Sequence, residues 1–327
     1  MGEFDIIREI FAPLTKDAEG AFNLTDDAAL VSSGDIIVSK DVLVGGVHFR
    51  TKDPLDLVAR KLLRVNLSDL AAKGAKPIGY FLGCVWPSSI KRDAIELFAR
   101  GLSEDQTQFR IALYGGDTTA HRARSAPLTL SATIFGLPPK RGLTRRITAS
   151  VRDDLYVSGT IGDAGLGLKA LEKEIAVTTV DRASLAGRYH LPEPRLQLGS
   201  ALAGLASAAI DVSDGLLADA GRLAAAAGLK AEIEAERVPL SAPAKSWVEG
   251  AEAPESAIAS LASFGDDYEI LFSAPSTLRR SVAVAADASR TPVTRIGMLT
   301  RGAGVALLDR DGAEMPVETL GYDHFGD

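Results

Sequence analysis

What most constrains this chain is where its aspartates fall. Thr25-Asp26-Asp27 precedes the apolar Ala28-Ala29-Leu30-Val31, Asp41 interrupts two β-branched runs, and Asp117 follows Tyr114-Gly115-Gly116 at the end of another. Asp211-Val212-Ser213-Asp214-Gly215 and Gly265-Asp266-Asp267-Tyr268-Glu269 repeat the arrangement further along. Asn66 and Asp69 sit three apart in a run with helical spacing, so they share a face. Taken singly, an aspartate in such a place is usually a turn or N-cap residue. Acids that recur at strand ends of an α/β chain fall where such folds build their sites. Several carboxylates share one place only if something cancels their repulsion. A hard oxygen-ligand cation such as Mg²⁺ does so, and bridges carboxylates to substrate phosphates.

The alternation around these acids predicts the elements. Residues 35–39 and 42–44 read as strand on both sides of a polar interruption, and a helix is expected from about Pro54 with Val58, Leu62 and Val65 at helical spacing. Strands are expected at 79–86, 111–114 and 127–136, with a helix over 93–109. Pro138-Pro139-Lys140-Arg141-Gly142 breaks the pattern and divides the chain into domains 1–138 and 139–327. Beyond it, strands are expected at 155–158, 209–212, 268–272 and 305–308, and helices up to Glu174, over 201–208 and over 216–227. The glycine-rich turn 159–167 lies between a strand and a helix, where backbone N–H groups can face an anion. Tight packing explains such a turn equally well, and Leu168 stands where a Walker A loop needs Lys.

Composition narrows the partners. Lys plus Arg number 36 against 43 Asp plus Glu, a net charge of −7, which suits a nucleic-acid backbone poorly. With 46% hydrophobic and 24% charged residues the chain reads as globular, and no apolar run approaches the ~20 residues of a membrane span. Met1-Gly2-Glu3-Phe4-Asp5 lacks the basic and apolar regions of a secretory signal, so a cytoplasmic location is expected. The single Cys84 excludes internal disulfides and a cysteine zinc cage, and within its apolar strand it reads as inert.

Several motifs carry a family resemblance in order. They are Asp26-Asp27-Ala28-Ala29, Asp41-Val42-Leu43-Val44-Gly45-Gly46-Val47-His48-Phe49 and Val65-Asn66-Leu67-Ser68-Asp69-Leu70-Ala71-Ala72-Lys73-Gly74-Ala75-Lys76-Pro77. Gly115-Gly116-Asp117-Thr118-Thr119, Pro192-Glu193-Pro194-Arg195, Asp211-Val212-Ser213-Asp214-Gly215-Leu216 and Gly321-Tyr322-Asp323-His324-Phe325 follow. Together they resemble the thiamine-monophosphate kinase family, within the aminoimidazole-ribonucleotide-synthetase-related ATP-binding superfamily, from near residue 3 to the last five residues.

The resemblance implies phosphorylation of thiamine monophosphate by ATP. It implies a PurM-like two-domain fold: an N-terminal mixed α/β sheet that forms a barrel-like core in a homodimer, and a C-terminal α+β domain. The family's Mg²⁺ ligands, for several ions, match Asp27, Ser39, Asp41, Asp69, Asp117, Asp211 and Asp214. Its ATP contacts match Gly116, Asp117, Arg145 and Ser213, and its thiamine-phosphate contacts match His48, Asp266 and Tyr322. Arg145 also reads as a solvated member of the basic cluster Arg141, Arg145, Arg146, and Tyr322 as a packing residue. Three positions depart. Thr25 replaces the usual Gly, Asp266 replaces Glu, and Lys40 replaces a Thr, so that only its backbone carbonyl offers a metal an oxygen. Two rivals remain: an aminoimidazole-ribonucleotide-synthetase-like enzyme, and a non-catalytic nucleotide- and Mg²⁺-binding protein.

Overall fold

A computed structural model describes residues 22–23, 25–31, 35–123 and 125–324. The resemblance before residue 22 and Phe325 of the terminal motif lie outside them. Strands β1 (Ala29–Val31), β2 (Ile36–Val44), β3 (Lys76–Trp86), β4 (Ala112–Ala120) and β5 (Thr129–Leu137) form one sheet in the order β1-β2-β5-β3-β4. The β3–β4 pair is parallel and the others are antiparallel. Leu130, Ala132 and Ile134 alternate inward along β5 and are fully buried against α1 (Leu55–Ala72), whose Leu62, Leu63, Leu67 and Leu70 are equally buried. Helix α2 (Arg92–Phe109) packs beside α1. The opposite face of the sheet stays open: Val42 and Phe81 are each 45% exposed.

The second sheet contains β6 (Asp153–Ser158), β7 (Ala208–Asp211), β8 (Leu229–Glu234), β9 (Ile270–Pro275), β10 (Val293–Arg301) and β11 (Gly304–Leu308), in the order β11-β8-β10-β6-β9-β7. It is antiparallel apart from β11–β8. Around it lie α3 (Asp163–Glu172), α4 (Thr179–His190), α5 (Leu196–Leu202), α6 (Leu216–Ala226), α7 (Ala242–Glu249), α8 (Pro254–Ser263) and α9 (Arg279–Ser289). The result is a two-domain α/β fold with mixed sheets. None of the described helices is long and apolar enough to cross a membrane.

Helix α1 joins the two sheets. A Cβ on Gly199 of α5 would stand 1.9 Å from the Ala71 carbonyl oxygen, so only glycine allows this approach. Lys73, just past α1, donates to the Ala209 carbonyl of β7 at 2.8 Å, and Arg64 donates to the Pro192 carbonyl at 3.1 Å. The helix carrying Asn66 and Asp69 is thereby pressed against the strand that ends in Asp211.

Several sequence expectations are corrected. Lys40-Asp41 does not interrupt a strand, because β2 runs unbroken through it. The run Gly115-Gly116-Asp117-Thr118-Thr119 is no turn; it is the continuation of β4. The helix expected at 201–208 lies at Leu196–Leu202, and Gly204 (φ 78°) precedes the start of β7 at Ala208. Strands β8 and β10 and helices α4, α7, α8 and α9 were absent from the sequence reading. Two of these helices carry caps: Thr178 accepts from Asp181 N–H at 3.1 Å and Ser241 from Ala244 N–H at 3.2 Å.

Candidate active site

Asp27 follows the turn before β1, Asp69 lies on α1 and Asp211 ends β7. Each offers a carboxylate oxygen, and these oxygens lie within 4.8 Å of one another. Ser39 on β2 ties two of them together, its hydroxyl 2.9 Å from the Asp27 carbonyl oxygen and 2.5 Å from Asp69 Oδ2. The hydroxyl has one proton for two acceptors, so the second acceptor must be served by another proton or a cation. Asp41 points inward from β2, and its N–H donates to Asn66 Oδ1 at 3.2 Å.

The acids differ in what neutralises them. Burial pushes Asp27 up, but the guanidinium of Arg146 and the ammonium of Lys73 outweigh it and hold the carboxyl at about 2. Arg146 Nε donates to Asp27 Oδ2 at 3.1 Å and its Nη2 to Oδ1, while Lys73 contacts both Asp27 and Asp26. Among the described residues Asp69 has no such partner. Burial first, then the charges of Asp41, Asp211 and Asp27, raise it well above the carboxylate range. Burial and the charges of Asp27 and Asp219 do the same to Asp211, and burial with Asp27 pushes Asp41 up to about 6. Hard-oxygen donors converging from three pieces of chain, two of them uncompensated, fit a divalent cation. Asp27, Asp69 and Asp211 would hold it, with Ser39 and Asp41 beside them.

Next to the cluster opens a cavity of about 940 Å³, and the two share Lys40, Asp41, Ser213 and Asp214. His48, Asp266 and Tyr322 line it. His48 Nδ1 accepts from Val44 N–H at 3.0 Å, which leaves Nε2 to carry the proton. The terminal segment is held over the cavity: Tyr322 N–H donates to the Asp214 carbonyl at 2.9 Å, and the His324 ring lies tilted at 45° with its centroid 4.9 Å from that of His48. The Asp214 carboxylate itself pairs with Arg222, and the Lys40 ammonium is turned onto Ser131.

Other expected residues stand apart. In the sheet register Asp117 lies level with Gly83, Ser131 and Val42, on the face opposite to Asp41. Both Gly116 and Asp117 are three strand spacings from β2, on the order of 14 Å. The Arg145 guanidinium lies over the Phe22 ring at 4.1 Å, and its neighbour Arg146 reaches the acids instead. The glycine-rich turn is a packing turn already filled from inside: Gly162 N–H and Ala164 N–H donate to the buried Asp267 carboxylate at 2.6 and 3.2 Å. Glu269, also buried, is fixed by Arg188 at 2.7 Å and by Arg195 at 2.6 Å.

The sequence reading missed Lys73, Arg146, Asp219 and Arg222. Lys73 was within reach, because Asn66, Asp69 and Lys73 at i, i+3 and i+7 follow one helical face. Asp219 accepts from Ser213 N–H and Asp214 N–H, both at 3.0 Å, and so shapes the Asp211–Gly215 turn from within α6.

A two-sheet α/β chain with acids gathered at the seam belongs to a recognisable class. The N-terminal domain of AIR synthase related proteins matches residues 25–137, and the C-terminal domain of the same group matches residues 152–310. Within that class the chain is 45% identical to the thiamine-monophosphate kinase of Caulobacter vibrioides, over 98% of this chain and 90% of the relative. It is 35% identical to that of Escherichia coli K12, over 99% of this chain and 98% of the relative. A structure described as AaThiL complexed with AMPPCP and TMP matches with a TM-score of 0.83 at 29% identity, covering 99% of this chain and 97% of that one. The chain belongs to the thiamine-monophosphate kinase family.

Proposed function

We propose that this chain transfers the γ-phosphoryl group of ATP to the phosphate of thiamine monophosphate, giving thiamine diphosphate and ADP. The observation that carries this reading is the convergence of Asp27, Asp69 and Asp211 beside the cavity lined by His48, Asp266 and Tyr322. The AaThiL relative, described in complex with AMPPCP and TMP, supports the substrate pair. A phosphate monoester carries roughly −1.5 to −2 charge at neutral pH, so the acceptor oxygen is already deprotonated and no general base is needed. That oxygen forms a bond to Pγ, the bond from Pγ to the bridging oxygen breaks, and ADP leaves with the electron pair. The barrier is the approach of like charges, overcome by positioning and neutralisation.

Mg²⁺, when bound, supplies that neutralisation. We assign it to Asp27, Ser39, Asp41, Asp69, Asp211 and Asp214. Lys40 offers it at most a backbone carbonyl, since its ammonium contacts Ser131. His48 Nε2–H donates toward the substrate, Tyr322 offers a ring for it to stack on, and Ser213 lies between cavity and cluster on the ATP side. Gly116 and Asp117 fit their expected ATP and metal roles only if a second copy supplies its β4 edge. The open apolar face with Val42 and Phe81 suits the same homodimer, in which two such sheets close on each other. Arg145 keeps only its family role as an ATP contact. We further propose domains 1–138 and 139–327 and a cytoplasmic location.

The test is an assay with purified chain, ATP and thiamine monophosphate, with and without Mg²⁺. Equimolar ADP and thiamine diphosphate, formed with Mg²⁺ alone, is the expected result, with unphosphorylated thiamine a poor acceptor. Tight ATP binding without turnover would overturn the reading in favour of a nucleotide-binding protein. A solution mass of 34.4 kDa would contradict the dimer.

A further inference from the structure

Lys61 lies in the middle of α1 and is only 2% exposed. A buried ammonium is costly unless each donor is satisfied and an opposite charge is close. Lys61 has three partners for its three N–H groups. Nζ donates to Asp266 Oδ2 at 2.8 Å and to the His48 carbonyl at 3.1 Å, and it sits 3.9 Å from the centroid of the Tyr189 ring. The partners come from three separate pieces of chain: the loop after β2, the loop before β9, and α4. Two of them, His48 and Asp266, line the large cavity. Asp266 is held in left-handed backbone at φ 71°, with its N–H given to the Ser213 carbonyl at 2.7 Å. Backbone and one carboxylate oxygen are therefore both committed, which leaves the second oxygen for a ligand.

We propose that Lys61 is a positioning residue for the phosphate-acceptor substrate: it fixes the Asp266 carboxylate and the His48 loop against each other across the cavity. The proposal rests on the function proposed above. Pairing also changes what Asp266 presents. A lone carboxylate in this cavity would repel an incoming phosphate, whereas the Lys61–Asp266 pair is neutral overall and offers a directional acceptor. Among the described residues Lys61 touches His48, Asp266 and Tyr189 and not Ser213, so the larger effect falls on the phosphate acceptor.

The experiment is steady-state kinetics on wild type, Lys61→Met, Asp266→Asn and the double variant, varying each substrate at saturation of the other. Lys61→Met is expected to raise KM for thiamine monophosphate about tenfold or more, with KM for ATP within about threefold. The double variant should be no worse than the poorer single variant, because the two residues act as one unit. Lys61→Arg keeps the charge and should recover part of the loss. If Lys61→Met does not fold, the same split, at about threefold, is read from Lys61→Arg. An unchanged KM, equal rises in both KM values, or additive effects in the double variant would overturn the proposal. Turnover by wild type with an unchanged Lys61→Met refutes this inference alone. Absence of turnover in wild type refutes the function instead. Calorimetric binding of thiamine monophosphate to wild type and Lys61→Met then decides the inference, with about tenfold weaker binding to the variant expected and equal binding against it.

Discussion

Asp27 and Asp69 face the same small space, yet they are held in opposite ways. Asp27 has Lys73 and Arg146 against it, and Glu269 and Asp105 elsewhere are gripped in the same manner by Arg188 with Arg195 and by Arg60 with Arg64. These acids carry their cations within the chain, and the pairs fasten neighbouring elements to each other. Among the described residues Asp69 and Asp211 have no cation against them, and burial with the charges of neighbouring acids raises both. The contrast separates acids already met by protein cations from acids that await an outside charge, and Asp27, which converges with Asp69 and Asp211, stands where the two kinds meet. Net charge says nothing of this, since both kinds count equally toward −7.

The contrast can be broken at either end. Asp69→Asn or Asp211→Asn should reduce turnover about a thousandfold or more while leaving the melting temperature equal or higher, since each removes an uncompensated buried charge. Near-normal activity in both variants, measured by thiamine diphosphate formation, would place the metal elsewhere. Lys73→Met should do the reverse. It takes the buried ammonium from Asp26 and leaves Asp27 with Arg146 as its one remaining cation among the described residues, and should cost about 3–5 kcal/mol in denaturant unfolding. An unchanged midpoint would mean that Lys73 is no clamp.

Metal addition sharpens the comparison at smaller amplitude. Mg²⁺ at a hundred times its dissociation constant should stabilise wild type by about 2.7 kcal/mol, and Asp69→Asn should lose that gain. An equal gain in both proteins would dissociate the cluster from the metal. A last test concerns Asp267, pushed up by burial to about 8. The folded chain then binds more protons than the unfolded one between about pH 4 and 8, so this group's contribution to stability falls as pH rises through that window. Asp267→Asn should flatten that fall. A pH profile as steep as wild type's would assign the proton elsewhere.

Much of the site was legible because its acids follow local rules. Asp27, Asp41 and Asp211 lie at or within strands, and Asn66 with Asp69 on one helical face announces which side α1 presents. Side-chain direction within irregular segments was not legible. Arg145 and Arg146 are adjacent, and the extended backbone of Arg145 ahead of the short 3₁₀ turn sends one to Phe22 and the other to Asp27. The Gly115-Gly116-Asp117 run reads as a turn by composition, yet its glycines let β4 lie flush against β3: a Cβ on Gly116 would stand 1.9 Å from the Leu82 carbonyl oxygen. Contacts such as Lys61 with Asp266 join the two ends of the chain, and no local pattern encodes them. The missed helices α7 and α8 sit in an alanine- and serine-rich stretch whose apolar spacing is diluted by small residues.

The most direct measurement is calorimetric titration of Mg²⁺ into wild type, Asp69→Asn and Asp105→Asn, the last an acid of the clamped kind. Binding in wild type and Asp105→Asn, and its loss in Asp69→Asn, is the predicted result. Equal binding in all three would contradict the claim that Asp69, an acid with no cation against it among the described residues, is part of the metal site.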